Sequence, residues 1–287
     1  METTLIFQHG LELPDFAAFT LLASERGRAA LREYYRAYLD VAERRALPII
    51  LDTPTWRANA DWGERLGYSA SGLDEANRDG ASLVRDVADG GRAEVVLSGC
   101  IGPRGDGYLA DTLMTVEEAE RYHAPQVRSL SAAGVDLISA ITMTYADEAS
   151  GIVRAAKSAG TPVVVSFTVE TDGRLPSGQA LADAVAQVDG DTGTAPLYYM
   201  VNCAHPSHFG HVIGEAPAGR VRGVRVNASA RSHAELDEAD ELDPGDPAAL
   251  AAEVAGLRGR GADLAVFGGC CGTDHRHVDA LALALSD

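Results

Sequence analysis

Three thiols in this chain are placed where they could hold one soft metal. Cys270 and Cys271 are adjacent in Val266-Phe267-Gly268-Gly269-Cys270-Cys271-Gly272-Thr273, directly after an apolar run, and Cys203 closes Met200-Val201-Asn202-Cys203, after another. Glycine lets backbone pass close to a bound atom and adopt positive φ. Neighbouring thiols do not readily bridge each other, whereas two thiolates on a bent glycine loop can grip a cation. Read instead as small buried residues of a glycine turn, the pair would need no third thiol at an equivalent strand end. Three thiolates that leave one coordination position over form the pattern of a catalytic rather than a structural zinc. The expected cofactor is therefore zinc (Zn2+), held by Cys203, Cys270 and Cys271. Such a centre lowers the pKa of an incoming thiol, which then binds as a thiolate nucleophile at neutral pH. What remains for the protein is the alignment of two substrates.

The elements that must position these thiols recur as an apolar strand followed by an Ala/Glu/Arg-rich amphipathic segment. Strands are predicted at 48–52, 94–99, 136–141, 163–167, 197–201, 223–226 and 264–267. Helices are predicted at 28–45, 74–89, 116–133, 147–159, 178–188, 247–259 and 274–285, with a weak segment at 208–215. Continuous apolar strands separated by helices imply a parallel sheet covered on both faces. The fold class is α/β, and a (βα)8 TIM-type barrel fits best, because its active sites lie at C-terminal strand ends, where both cysteine clusters fall. One strand is short or missing: the room for an eighth lies before residue 8, at Thr3 to Phe7. A doubly wound open sheet is the rival, but no glycine-rich phosphate loop follows the first strand. No boundary divides the chain, so residues 1–287 are expected to form a single domain.

Bulk properties narrow the function. The net charge of −18 excludes a nucleic-acid partner, since phosphate neutralisation needs clustered Lys and Arg. The densest acidic stretch, 237–246, reads as a solvated loop. No apolar run approaches the roughly 18 residues of a membrane span. No basic segment followed by an apolar one opens the chain, so a cytoplasmic location is expected. In a reducing compartment, four cysteines in 287 residues point to metal or catalysis rather than to a disulfide framework. The expected partner is a small-molecule thiol, with no membrane; a homo-oligomer is compatible with this composition.

Other residues have two readings each. Residues 99–108 form a loop that either contacts substrate or merely connects. A sulfonium or quaternary ammonium donor would favour aromatic walls, for which Trp56, Trp62, Tyr68 and Tyr108 are candidates against plain rim packing. Cys100 has no partner in sequence and reads as a core thiol. His205, His208 and His211 build no tetrahedral site with Cys203 and read as helix-entry residues. His275 and His277 open a helix for which Asp274 is the expected N-cap. His233-Ala234-Glu235 matches half of a zinc-deaminase signature whose Pro-Cys-x-x-Cys half is absent.

With the cysteines in hand, the chain resembles the zinc-dependent homocysteine S-methyltransferase family, which includes betaine- and S-methylmethionine-dependent enzymes. Ser98-Gly99 with Ile101-Gly102-Pro103 is similar to its glycine-rich loop. Ser166-Phe167-Thr168 with Asp172-Gly173-Arg174-Leu175 and Gly178 is similar to its strand-five segment. The resemblance covers nearly the whole chain. It implies a (βα)8 barrel, zinc on Cys203, Cys270 and Cys271, and substrate contacts from Glu2, Thr3, Thr142, Asn202 and Asn227. It implies homocysteine as acceptor, methionine as product, and betaine, S-methylmethionine or S-adenosylmethionine as methyl donor. The chain departs from the pattern in three places. It starts at Met1-Glu2-Thr3-Thr4, after the position of the family's Asp-Gly-Gly strand end, so either the start is late or the barrel closes imperfectly. It reads Ile141-Thr142 where many members have Glu-Thr. It reads Val226-Asn227-Ala228-Ser229 where many have Pro-Asn-Ala/Ser-Gly. Two alternatives follow: a zinc enzyme whose substrate lacks the amino-acid group, and a non-catalytic zinc-binding or redox-sensing barrel.

Overall fold

The computed structural model describes residues 1–285 apart from 112, 240, 261 and 262. Seven parallel strands lie side by side in strict chain order: β1 (Ile49–Asp52), β2 (Val95–Ile101), β3 (Leu137–Met143), β4 (Val163–Phe167), β5 (Tyr199–Asn202), β6 (Val221–Val226) and β7 (Val266–Gly269). Parallel neighbours need crossovers, and helices supply them. After α1 (Glu2–Phe7) and α2 (Glu25–Arg45), β1 is followed by α3 (Ala60–Arg65) and α4 (Ala70–Asp89). Then α5 (Val116–Ala132), α6 (Ala146–Ala159) and α7 (Leu181–Thr192) alternate with strands. The short α8 (Pro206–Phe209) precedes β6, and α9 (His233–Asp237) and α10 (Pro247–Leu257) precede β7. The chain closes with α11 (His275–Leu285). Among the described residues, no helix is long and apolar enough to cross a membrane. Of the acidic stretch, Asp240 lies outside the described residues.

Helix boundaries follow local chemistry. Ser24 Oγ accepts the Gly27 amide to start α2, and Arg44 and Arg45 in its last turn complement the helix dipole. A capping box of Thr115 and Glu118 starts α5. Outward-facing strand residues such as Ile138, Val165, Val201 and Val224 join the main core against the helices, while Cys100, Leu137, Ile141, Val164 and Met200 form a second, inner cluster. That inner cluster exists because the sheet curls. Asp52 on β1 pairs with Arg225 on β6, although a flat sheet would hold those strands roughly 24 Å apart at about 4.8 Å per strand.

The strand read as short or missing is not found among the described residues: the sheet has seven strands. Thr3 to Phe7 lie in helix α1, whose Thr3, Thr4 and Leu5 are buried. A strand there would need ladders to β1 and β7, whereas a helix satisfies its own backbone, as in the bond from the Gln8 amide to the Thr4 carbonyl. No ladder joins β7 to β1 among the described residues. Every residue of β7 is accordingly half-buried, while β3 and β4 are buried throughout.

Candidate metal centre

Strand β6 is the pivot of the site. The Cys203 amide donates to the Arg225 carbonyl (3.0 Å) and the Cys270 amide to the Val226 carbonyl (2.8 Å), so the two cysteine loops flank the end of one strand. Asn227, the next residue, ties both loops together. Its Nδ2 donates to the Cys203 carbonyl at 3.0 Å, and its Oδ1 accepts the Cys271 amide at 3.1 Å. The three Sγ atoms converge within 4.8 Å of one another; Cys203 lies 3.0 Å from Cys270 and 3.4 Å from Cys271.

Two of the six described non-glycine residues with positive φ lie here. Cys203 has φ +55° and Thr142 φ +66°, a conformation that is strained for a non-glycine residue and more so for a β-branched one. Asn202 holds the second: its Oδ1 accepts the Thr142 amide (3.0 Å) and the Ser166 hydroxyl (2.6 Å), and its Nδ2 donates to Thr142 Oγ1 (2.9 Å). Gly268 and Gly269, expected in a loop, are paired strand residues. Gly269 is required because a Cβ there would stand 2.0 Å from Thr273 Oγ1. Beyond it, Thr4 Oγ1 donates to the Thr273 carbonyl at 3.4 Å and Gln8 to Asp274 at 3.0 Å, which docks α1 under the cysteine turn. The Asp274 carboxylate accepts the Arg276 amide at 2.9 Å, as an N-cap would.

The loop after β2 delivers a fourth polar atom. Tyr108 Oη lies 3.0 Å from Cys203 Sγ and 3.5 Å from Cys271 Sγ. Its ring stacks on His233 at 4.1 Å. His233 in turn donates from Nε2 to the Cys203 carbonyl (2.7 Å), and its Nδ1 lies 3.2 Å from Glu170. The root of the loop is fixed by Glu148, buried on α6, which accepts the Arg104 amide at 2.7 Å while paired with buried His123 at 2.9 Å.

Electrostatics separate the three sulfurs. Hydrogen bonds from Cys203 and Cys271, aided by the Arg225 charge, hold the Cys270 thiol well below its ordinary value against the cost of burial. Hydrogen bonding to Cys270 and Cys271, with burial, drives Cys203 well up. Cys271, despite its hydrogen bond with Cys203, is pushed up to about 12 by Cys270 and burial. The cluster thus favours negative charge on Cys270 over its two neighbours, and a divalent cation among the sulfurs would let all three ionise. Sulfurs on a tetrahedral zinc at about 2.3 Å stand roughly 3.8 Å apart, so the sulfurs here, at 3.0 and 3.4 Å, would spread by less than about 1 Å to take the metal. The donor set fits a soft four-coordinate metal, with the Tyr108 hydroxyl beside it.

The other expected residues fall as follows. Glu2 and Thr3 lie on α1, with Glu2 3.8 Å from the chain's terminal amine and Thr3 buried. Thr142, Asn202 and Asn227 are buried beside Cys203, bonded to each other or to backbone. Cys100 lies in the inner cluster, away from the three sulfurs. His208 and His211 reach the backbone carbonyls of Ala230 (2.9 Å) and Asp172 (3.3 Å), and His205 caps α8. His277 reaches the Pro244 carbonyl at 2.8 Å. Of the aromatic candidates, Tyr68 packs edge-on to Phe19 and Trp56 and Trp62 both face Arg57, so only Tyr108 meets the sulfurs. His233 belongs in sequence only to half of a zinc-deaminase signature, whose other half is absent. Its role at Cys203 has no local signature.

A curled parallel sheet with a thiol cluster at its C-terminal strand ends is an α/β architecture of barrel type with a potential metal site. The sequence model of the homocysteine S-methyltransferase family matches residues 1–285, and the chain belongs to that family; it is a methyltransferase. The homocysteine S-methyltransferase YbgG of Bacillus subtilis (strain 168) is 26% identical over 75% of this chain and 74% of its own. The oxidized form of the homocysteine methyltransferase MmuM from Escherichia coli superposes with TM-score 0.76 at 20% identity, covering 98% of this chain and 91% of that one. Its metallated form gives 0.73 at 20% identity, over 96% and 91%. At that identity the likeness to MmuM is one of fold.

Proposed function

We propose that Cys203, Cys270 and Cys271 hold zinc and that the protein methylates homocysteine to methionine, using an activated donor of the S-methylmethionine, S-adenosylmethionine or betaine type. The observation that carries this reading is the convergence of three sulfurs, from two loops, around the end of β6. Bound there, zinc would supply Lewis acidity that lowers the pKa of the acceptor thiol. The chain's residues do the rest. Asn227 and His233 fix the Cys203 carbonyl, Asn202 fixes the strained turn at Thr142, and Arg225 offsets the negative charge of the sulfurs from below. The Tyr108 hydroxyl, against Cys203 and Cys271, would give way to an acceptor sulfur bound at the cluster. In the transfer, the acceptor thiol loses its proton to solvent and its sulfur bonds to the methyl carbon. The donor's bond to that carbon breaks, and the electron pair leaves on the donor heteroatom.

X-ray absorption at the zinc edge tests the reading. One zinc per chain with three sulfurs, becoming four when homocysteine is added, is the expected result; active zinc-free protein, or a sulfur count that never rises, would reject it. Asn227→Ala is expected to weaken zinc binding about 10- to 100-fold, the usual cost of losing a group that orients ligands, as read by competition with a chromophoric chelator. Unchanged affinity would show that the two loops hold their positions without it. A second reading keeps the metal but changes the acceptor: Ile141 presents an apolar side chain to the inner cluster, where an acid could have met an ammonium group. Competition between homocysteine and simple thiols separates the two.

A further inference from the structure

Arg57 follows β1 at the same end of the sheet as the cysteines. It is only 8% exposed. Its guanidinium lies 3.6 Å from the Trp62 ring centroid and 4.4 Å from that of Trp56. Nη1 donates to the Gly105 carbonyl at 3.2 Å, while Nε is buried with no hydrogen-bond partner among the described residues. Asp106, the acid that acts on it most strongly, lends one oxygen to the Tyr108 amide at 2.7 Å and makes no ion pair with it. Burial pushes the Arg57 guanidinium down to about 10. Two indole faces recover part of the cost of burying a cation, but a hydrogen-bonded anion is what a buried guanidinium ordinarily meets.

Its neighbours lead straight to the thiols. Trp56 Nε1 donates to the Ile141 carbonyl at 3.2 Å, one residue before Thr142. Gly107 is wedged between them: a Cβ there would stand 3.1 Å from Trp56 and 3.3 Å from Thr142. The next residue, Tyr108, touches Cys203. We propose that Arg57 recognises the carboxylate of the substrate whose sulfur reacts at the cysteine cluster, and so restricts the enzyme to carboxylate-bearing substrates. The choice of ligand rests on the methyl-transfer reading above. In a chain of net charge −18, a buried local cation offsets the repulsion that the overall field exerts on a carboxylate. A guanidinium stacked between two rings is pre-set for a forked pair in a way that an ammonium is not.

The chain has two tryptophans, and both lie on Arg57, so their emission reports on this site. The full chain is titrated with methionine, which has the carboxylate but no thiol, and with methioninol, in which an alcohol replaces the carboxylate. The expected result is a saturable change with methionine and at least tenfold weaker apparent affinity for methioninol. Arg57→Met abolishes the difference, and Arg57→Lys restores part of it. Equal affinity for the two compounds in the unaltered protein, or no response to methionine, overturns the proposal even if the variants do not fold. If methionine binds through Arg57 but zinc never gains a sulfur from homocysteine, the carboxylate site stands and the homocysteine reading falls. The reverse pattern removes Arg57 and leaves that reading intact.

Discussion

Cys270→Ser is expected to lose zinc and methyl transfer together, each by about a thousandfold. A serine hydroxyl stays protonated at neutral pH and is a harder donor than a thiolate. Structural thiolate sites bind zinc with about 10–16 kcal/mol, so one ligand of three accounts for roughly 4 kcal/mol, about three decades in affinity. Cys270 is also the thiol whose ionisation the cluster and Arg225 favour most. Cys100→Ser is the matched control. It changes the same atom in the inner cluster, where no other cysteine is within reach, and should cost some stability but no zinc. Metal analysis of the two variants decides the matter: full zinc and full activity in Cys270→Ser would refute the site.

Arg225→Met carries the second large effect, on the fold. It strands the Asp52 carboxylate, whose Oδ1 already lacks a hydrogen-bond partner among the described residues, beneath the cysteine turn. Removing one partner of a buried ion pair typically costs about 3–5 kcal/mol. Here the open side between β1 and β7 lets some water reach the pair, so about 3 kcal/mol is expected, read as the loss of unfolding free energy in urea. The double variant Asp52→Asn with Arg225→Met should recover most of it, because the cost comes from the unpaired charge. If the single and double variants lose equal stability, the pair is not what draws β1 towards β6.

Much of the scaffold is legible in the sequence. The strand at 163–167 is found as predicted, and the other strands differ by one or two residues at one or both ends. The direction of the error is physical. Apolar runs mark where strands are buried on both faces, so they miss the polar ends that carry function: Asn202 closes β5, and Gly268 and Gly269 close β7. The same bias makes residues 99–108 look like one long loop, although Cys100 and Ile101 still belong to β2. Thr3 to Phe7 has apolar character without partners, and pairing partners are what decide between strand and helix.

The sequence by itself determined the strand–helix alternation, the parallel sheet and the three thiols at strand ends, because each rests on near neighbours in the chain and on residue type. The tertiary structure alone decided that Asn227 clamps both cysteine loops, that Tyr108 and His233 meet Cys203, and that Asp52 meets Arg225. It also placed Arg57 between two indoles. Those contacts depend on how far the sheet curls and on the register of β5, β6 and β7. Curl and register are set by the packing of the whole core, which no local pattern of residues encodes.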